Sequence, residues 1–139
     1  MSHREDAKTQ STDREFLNKT AKLIIDKAIV VHSKLGPGLL ESIYRRCLTH
    51  ELRNAGHKVV VEQLVPVHYD GLELDDGYRL DMLVNDGVIV EIKTVERLLP
   101  VHHAQLLTYL KLCDKRLGLL INFKVPYVTQ GLKRMVNSF

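Results

Sequence analysis

One stretch of the sequence decides the fold: Tyr78-Arg79-Leu80-Asp81-Met82-Leu83-Val84-Asn85-Asp86-Gly87-Val88-Ile89-Val90-Glu91-Ile92-Lys93. Two runs rich in aliphatic residues flank an Asn-Asp-Gly connection, which is typical of tight turns. The stretch therefore predicts two antiparallel strands joined as a hairpin. Charged residues nevertheless stand inside both strands, at Asp81 in the first and at Glu91 and Lys93 in the second.

The alternation of side chains along a strand predicts how these charges are arranged. Glu91 and Lys93 should point to one face of the sheet, while Val90 and Ile92 point to the other. In the antiparallel partner, Asp81 should lie opposite or diagonal to Glu91, within reach of a single ion. Burying such a carboxylate pair costs free energy unless a metal or an ion pair compensates. This conflict with the strand pattern predicts a functional site.

The sequence on both sides of the hairpin predicts an α/β sandwich around one mixed β-sheet. Before the hairpin, the apolar spacing and the Gly36-Pro37-Gly38 stop predict two helices and then a β-rich run that 72–74 would extend. After it, a helix, a buried strand and a short closing element are predicted. The predicted helices cover 14–34, about 39–55 and about 101–113, and the other predicted elements cover 58–69, 117–123 and 131–136. Residues 1–13 are polar and predicted to be flexible, and residues 14–139 to form one domain.

Composition narrows the class of protein. The chain has 139 residues, of which 45% are hydrophobic and 27% charged, as in ordinary globular proteins. No apolar run approaches the roughly 20 residues that span a bilayer, and no signal sequence is evident, so cytoplasmic residence without membrane contact is expected. Cys47 and Cys113 lack metal-ligand spacing and are predicted to be reduced core residues. Neither a Gly-rich phosphate loop nor a Gly-x-Ser-x-Gly elbow occurs, and the histidine spacing indicates no zinc site.

Charge is unevenly distributed along the chain. The net charge is +3, yet Glu62 to Glu91 holds eight acidic residues and one basic residue, whereas the segment from Lys111 onward holds six basic residues and one acidic residue. An acidic centre suits a cation site and a basic C-terminal segment suits a polyanion. A solvated acidic hairpin and a solvated basic tail are the alternative interpretation.

Two helices carry further candidate residues. Glu41 falls in the first turn of the second helix, where it either stabilises the helix dipole or addresses the same cation as Asp81 and Glu91. On the third helix, one polar stripe either faces solvent or orients a phosphate or a metal-bound water. The stripe consists of His102, Gln105, Tyr109 and Leu112.

The candidate residues define a chemistry. Hard carboxylate ligands such as Asp81 and Glu91 favour Mg²⁺ or Mn²⁺, and such an ion can activate a water and neutralise charge on a phosphate. Lys93 supplies a nearby fixed positive charge that could steady the nucleophile or the developing negative charge.

These residues together resemble the PD-(D/E)XK nuclease superfamily. Asp81 followed by Glu91-Ile92-Lys93 resembles its Asp…Glu-x-Lys motif, although Leu80 rather than Pro precedes the Asp. Glu41 matches a Glu that many members carry on the helix before the sheet. The segment Gln105-Leu106-Leu107-Thr108-Tyr109 resembles the Gln-x-x-x-Tyr motif of the RecB-type branch. More closely, Gly38-Leu39-Leu40-Glu41-Ser42-Ile43-Tyr44 resembles the signature of the GxxExxY protein family, and the similarity runs from about Leu17 through Asn137.

The resemblance implies a restriction-endonuclease-like sandwich, with one mixed sheet of about four to five strands and helices on both faces. It also implies a metal-dependent phosphodiesterase that acts on nucleic acid, with DNA favoured over RNA. Asp81, Glu91 and the backbone carbonyl of Ile92 would hold Mg²⁺ or Mn²⁺, and Glu41 would contact the ion directly or through water. The remaining roles fall to Lys93, which would assist the attacking water, and to Gln105 and Tyr109, which would position the scissile phosphate.

Two other functions stay open from the sequence alone. The chain could be a catalytically silent binding or scaffold module that keeps the nuclease fold within a larger assembly. It could also be a different metal-assisted hydrolase. Because so short a chain leaves little room for a separate recognition domain, a homo-oligomer or a partner protein is plausible.

Overall fold

A computed structural model describes residues 3–75 and 77–138, with side chains described from Asp13 onward. These described residues form three helices, seven strands and one 3₁₀ turn, Val128–Gly131. The helices are α1 (His3–Leu35), α2 (Glu41–Asn54) and α3 (Pro100–Leu112). The strands are β1 (Val59–Leu64), β2 (Val67–Tyr69), β3 (Leu72–Leu74), β4 (Arg79–Val84), β5 (Val88–Lys93), β6 (Leu117–Asn122) and β7 (Leu132–Val136).

Five of the strands form one mixed sheet in the order β1-β4-β5-β6-β7. Strands β5 and β6 are parallel, and every other neighbouring pair in this sheet is antiparallel. A parallel pair needs a crossover connection, and α3 supplies it between β5 and β6. The predicted hairpin is confirmed, with Asn85 and Asp86 both in the left-handed region at its turn.

Helices cover both faces of this sheet, as predicted. Helices α1 and α2 pack on one face, and α3 packs on the other. Along β5 the side chains alternate between the two layers, with Val90 and Ile92 in the first core cluster and Ile89 in the second. Gly118 allows α3 to approach β6 closely, because a Cβ at that position would lie 3.0 Å from Leu106. The architecture is the restriction-endonuclease-like α/β fold.

Helical spacing explains why α1 and α2 pack where they do. The buried positions of α1 follow the three- and four-residue repeat of a helix that packs on one side. From Asp13 onward, the buried apolar residues of α1 are Leu17, Ala21, Ile24, Ala28 and Val31. Gly36 ends the helix, with φ 71° in the left-handed region that favours glycine. The predicted stop at Gly36-Pro37-Gly38 is therefore confirmed.

Two predicted boundaries differ from the structure. Residues 72–74 do not extend the main sheet but pair with β2 in a separate two-stranded sheet. Pro66 separates β1 from β2, and because proline lacks the N–H that a ladder needs, the β-rich run divides there. Helix α1 begins at His3 rather than at Arg14, since no Gly or Pro interrupts that segment.

Some predictions fall on parts of the chain that lie outside this description. The predicted flexibility of residues 1–13 stays a prediction, because residues 1 and 2 and the side chains through residue 12 are not described. Asp76, within the predicted turn at 75–77, is likewise outside the described residues. Within the described ranges, no helix combines the length and the apolar character needed to cross a membrane.

Candidate functional site

Regular pairing between β4 and β5 ends at the two charged positions. The paired residues stop at Met82 and Val90, so the next pair in the same register would be Asp81 with Glu91. Beyond that point, side-chain oxygens accept the hydrogen bonds of the backbone N–H groups. The Asp81 N–H donates to Oε2 of Glu91 at 2.9 Å, and the Ile92 N–H donates to Oδ2 of Asp81 at 2.7 Å. Each carboxyl group thus accepts a hydrogen bond from the backbone of the opposite strand.

The two carboxyl groups also interact with each other. Asp81 and Glu91 are electrostatically coupled, and only 5% of Glu91 is exposed. Burial, followed by the negative charge of Asp81, raises the pKa of Glu91 to about 9, while Lys93 opposes the shift. In the absence of a cation, Glu91 therefore keeps its proton at neutral pH.

Arg45 belongs to this site, although the sequence pattern did not predict it. Its guanidinium lies 3.5 Å from Oδ1 of Asp81 and 3.1 Å from Oε1 of Glu62, and 24% of its side chain is exposed. Arg45 follows Glu41 by one helical turn, so both project from the same side of α2. That spacing is the signal in the sequence that could have identified it.

The backbone of β1 is irregular beside this ion pair. In the β1–β4 register Glu62 would face Asp81, but the pairing skips these positions. Glu62 has φ 54°, in the left-handed region that non-glycine residues rarely occupy. The irregularity leaves the Glu62 side chain 56% exposed at the edge of the sheet, where it meets Arg45.

Glu41 is the first residue of α2 and lies within electrostatic range of the same group. Burial raises its pKa and the charge of Asp81 raises it further, whereas Lys93 and Arg45 lower it. The structure therefore brings Glu41 near Asp81 and Lys93, as the sequence predicted.

Tyr44 holds the loop that precedes Glu41. Its hydroxyl accepts hydrogen bonds from the N–H groups of Gly38 and Leu39 at 3.0 and 3.1 Å and donates to the carbonyl of Gly36. The ring is fully buried and stacks on Phe123, with centroids 4.4 Å apart. The Gly-x-x-Glu-x-x-Tyr pattern thus has a physical basis, because the tyrosine fixes the turn from which the helix and its Glu begin.

Helix α3 brings two more predicted residues to the site. The Lys93 ammonium donates to Oε1 of Gln105 at 3.4 Å. Tyr109 is buried, and its pKa is raised by burial and then by the charges of Glu91, Tyr78 and Asp81. For Gln105 and Tyr109, the solvent-facing alternative is therefore wrong.

The rest of the stripe has structural contacts. His102 accepts a hydrogen bond from the Leu99 N–H at 2.9 Å and so caps the start of α3, while Leu112 packs against the second core cluster. His32, on α1, holds the chain after β6 through Nε2, which lies 3.2 Å from the carbonyl of Phe123 and 2.9 Å from that of Val125.

The donor set fits a hard divalent cation bound mainly through water. Among the residues described, no three His, Cys, Asp or Glu side chains are grouped so as to hold a metal ion. Asp81 and Glu91 instead supply two carboxylates at neighbouring positions of the two strands. Mg²⁺ is commonly held by one or two carboxylates and keeps several waters. A cation at this pair would also replace the proton that the raised pKa of Glu91 retains.

Comparison with known proteins identifies the family. Residues 18–135 match the family model of the PD-(D/E)XK nuclease superfamily, and this range includes α2, the β4–β5 hairpin and α3. Searches of curated proteins and of solved structures find no significant match. Because the family model covers most of the chain, the chain belongs to the PD-(D/E)XK nuclease superfamily.

Proposed function

We propose that this chain is a metal-dependent phosphodiesterase that cleaves nucleic acid. The observation that supports it most is that the Asp81 and Glu91 carboxyl groups are brought together, each bonded to the backbone of the opposite strand, at the point where the β4–β5 ladder ends. A buried carboxylate pair is costly, and members of this superfamily generally use divalent metal ions. A cation at the pair would offset that cost.

The residues that would hold the ion are Asp81, Glu91 and the backbone carbonyl of Ile92, with Glu41 contacting it directly or through water. A bound Mg²⁺ or Mn²⁺ supplies a water of lowered pKa and neutralises charge on a phosphate. Glu41 is the first residue of α2, and its side chain interacts electrostatically with Asp81. This interaction supports a role for Glu41 in holding the ion.

The remaining roles follow from the contacts on the α3 side. Lys93 would orient the attacking water or stabilise negative charge on the phosphate. Gln105 would hold the Lys93 ammonium in place by accepting its hydrogen bond. With Tyr109, Gln105 would position the scissile phosphate. The buried position of Tyr109 beside Glu91 supports that assignment.

Several finer assignments belong to the same proposal. We assign the chain to the GxxExxY family on its Gly38, Glu41 and Tyr44 pattern, and we treat residues 14–139 as one nuclease domain. DNA is the favoured substrate over RNA. Cytoplasmic residence is supported by Cys47 and Cys113, which are both free thiols.

A second function, a catalytically silent binding or scaffold module, is favoured by one observation. Asp81 is already paired with Arg45, and Glu91 already accepts a hydrogen bond from the Asp81 N–H. Within the described residues, no buried side-chain nitrogen or oxygen lacks a partner. The site is thus satisfied without a metal, as a scaffold in an oligomer or with a partner protein would require.

Cleavage assays separate the two functions. The purified protein should cleave at least one substrate among single-stranded, duplex and branched DNA and RNA when Mg²⁺ or Mn²⁺ is present, and none in EDTA. Absence of cleavage on every substrate would favour the scaffold function.

A further inference from the structure

A groove runs along α2 beside the carboxylate pair. It has a volume of about 490 Å³ and lies between α2 and the edge strand β1. The helix side carries three arginines, and we call this surface the arginine groove. Its main lining residues are Arg45, Arg46, Thr49, His50, Arg53 and Glu62.

Helical spacing aligns the arginines along the groove. Arg45, Thr49 and Arg53 recur every four residues and therefore lie on one side of α2. From Arg45 to Arg53 the helix rises about 12 Å, at ~1.5 Å per residue. The Arg53 guanidinium also donates to the Val59 carbonyl at 2.7 Å, which joins the helix to β1 and fixes the width of the groove there.

The groove opens onto the candidate active site through Arg45. That guanidinium contacts Asp81 on one side and Glu62 on the other. Arg45 is thus a lining residue of the groove and the nearest cation to the carboxylate pair. A polyanion in the groove would lie directly beside Asp81.

Positive charge in the groove is available for a ligand. Arg46 is exposed, and among the described residues it has no hydrogen bond or ion pair. In the basic C-terminal segment, three of the six cations are paired with carboxylates, namely Lys115, Arg116 and Lys124. Lys115 contacts Asp86 at 3.3 Å, and Lys124 contacts Glu96 at 2.7 Å. Because Arg46 lies in a groove that reaches Asp81 through Arg45, the structure favours α2 over the C-terminal segment as the polyanion surface.

We propose that the arginine groove holds the phosphodiester backbone of a nucleic-acid strand beside the carboxylate pair, and that Arg45 exchanges Asp81 for a phosphate. The inference rests on the proposed function. Arg45 and a divalent cation would compete for the carboxylate of Asp81. A guanidinium binds phosphate in the same forked geometry in which it binds carboxylate. Binding of a cation at Asp81 would therefore release Arg45 toward the groove.

The groove is tested by the salt dependence of nucleic-acid binding. Fluorescence anisotropy with labelled single-stranded and duplex DNA in EDTA gives affinity without cleavage. Arg46→Gln should lower the slope of log affinity against log salt by about 0.7–0.9, as one lost phosphate contact does. The loss of affinity between 50 and 200 mM salt would then shrink by a factor of about three.

Lys133→Gln is the matched control, since it removes one exposed positive charge from β7, at the opposite edge of the sheet. Its slope should equal that of the wild type. Equal slopes for Arg46→Gln and the wild type would overturn the proposal that the groove binds nucleic acid. An equal decrease of the slope in Arg46→Gln and Lys133→Gln would do the same. So would absence of any DNA binding by the wild type.

The exchange by Arg45 is tested by two measurements with opposite signs. In Arg45→Gln, millimolar Mg²⁺ should raise the melting temperature more than it does in the wild type, because no guanidinium competes for Asp81. DNA affinity in EDTA should fall. Arg45→Lys keeps the charge without the forked geometry, so it should fold like the wild type and show both effects more weakly. A Mg²⁺ effect no larger than in the wild type, or unchanged DNA affinity, would contradict the exchange.

The groove and the nuclease can fail separately. If the wild type binds DNA with the predicted dependence on Arg46 but cleaves no substrate, the arginine groove is supported and the nuclease activity is contradicted. If the wild type cleaves DNA but Arg46→Gln binds DNA with the same salt dependence as the wild type, the nuclease activity is supported and the arginine groove is contradicted.

Discussion

Asp81 and Glu91 have two tasks that cannot be separated by simple deletion. Each carboxyl group accepts a backbone N–H of the opposite strand, so each also replaces a rung of the β-ladder. Truncation of Asp81 to Ala would leave the Ile92 N–H without its acceptor, and an unsatisfied buried donor costs about 1–3 kcal/mol. Loss of activity in such a variant would therefore mix chemistry with stability. Isosteric amides are the sharper probes at these two positions.

Lys93 allows a cleaner test, because among the described side chains its ammonium has one hydrogen-bond partner, Gln105. We expect Lys93→Ala to lower the cleavage rate by a factor on the order of 10²–10³, the range for the loss of one group that stabilises developing negative charge. Binding of Mg²⁺ and of DNA should remain close to that of the wild type. The measurement is single-turnover cleavage at matched folded fraction.

Lys111→Ala is the control for that experiment, since Lys111 is an exposed lysine on α3. It should cleave like the wild type. If Lys93→Ala retained full cleavage, the catalytic assignment would be wrong, and a contaminating nuclease or another site in the fold would be responsible.

Glu91 predicts how stability changes with pH when no metal is bound. Its pKa is raised from 4.5 to about 9 in the folded protein, so the folded state holds the proton across a window in which the unfolded state has lost it. Stability then falls as the pH rises from about 5 to 9, by an amount on the order of a few kcal/mol. The raised pKa of Glu41 acts in the same direction.

Glu91→Gln removes the titration while keeping a neutral side chain of similar shape. Urea unfolding at pH 5, 7 and 9 in EDTA should show a smaller fall in the free energy of unfolding for the variant than for the wild type. Parallel curves for the two proteins would indicate that Glu91 titrates normally.

At the scale of single elements, the turn before α2 depends on one hydroxyl group. Tyr44→Phe removes the acceptor of two backbone N–H groups and the donor to Gly36. We expect a loss of about 1–3 kcal/mol in the free energy of unfolding. Cleavage should also weaken, because Glu41 begins the helix that this turn positions.

Tyr127→Phe is the matched control, because Tyr127 is 70% exposed. Its free energy of unfolding should stay within about 0.5 kcal/mol of the wild type. Urea denaturation compares the three proteins, and equal stability of the two variants would remove the structural role of the Tyr44 hydroxyl.

The elements also show what the sequence could predict. Alternation along β5 placed Val90 and Ile92 in one layer, and helical spacing placed Gln105 and Tyr109 on one side of α3. Local periodicity determines such features, so sequence alone contains them. The mutual hydrogen bonds between the carboxyl groups and the opposite strands were not predictable, since they depend on where the ladder ends.

The electrostatic partner of Asp81 was missed for a related reason. Arg45 reaches Asp81 because α2 packs on the α1 side of the sheet and β1 becomes irregular at Glu62. Both conditions involve residues far apart in sequence. The separate β2–β3 sheet is likewise hidden in the sequence, because 58–69 is a continuous β-rich run in which a single proline, Pro66, marks the division.

At the scale of the whole molecule, the site lies between two packed layers. Glu41 and Arg45 come from the α1–α2 layer, and Gln105 and Tyr109 come from α3 on the other face. The carboxylate pair belongs to the sheet between them. A change in charge at the carboxylate pair therefore alters electrostatic interactions with both helical layers. Binding of a cation should be measurable as a change in global stability.

The last prediction uses that coupling to separate an enzyme from a scaffold. Millimolar Mg²⁺ or Mn²⁺ should raise the melting temperature of the wild type, because an ion that binds only the folded state stabilises it, by about 2.7 kcal/mol at 100 times the Kd. The rise should be larger at pH 8 than at pH 6, since the cation displaces the proton that Glu91 otherwise keeps.

Two variants control this measurement. Glu91→Gln should lose most of the rise, whereas Asp114→Asn, at an exposed carboxylate after α3, should keep it. A rise of equal size in all three proteins would indicate that the ion binds elsewhere. No rise in the wild type would mean that Arg45 and the proton on Glu91 already compensate the carboxylate pair, and the scaffold function would then explain the structure better than the nuclease.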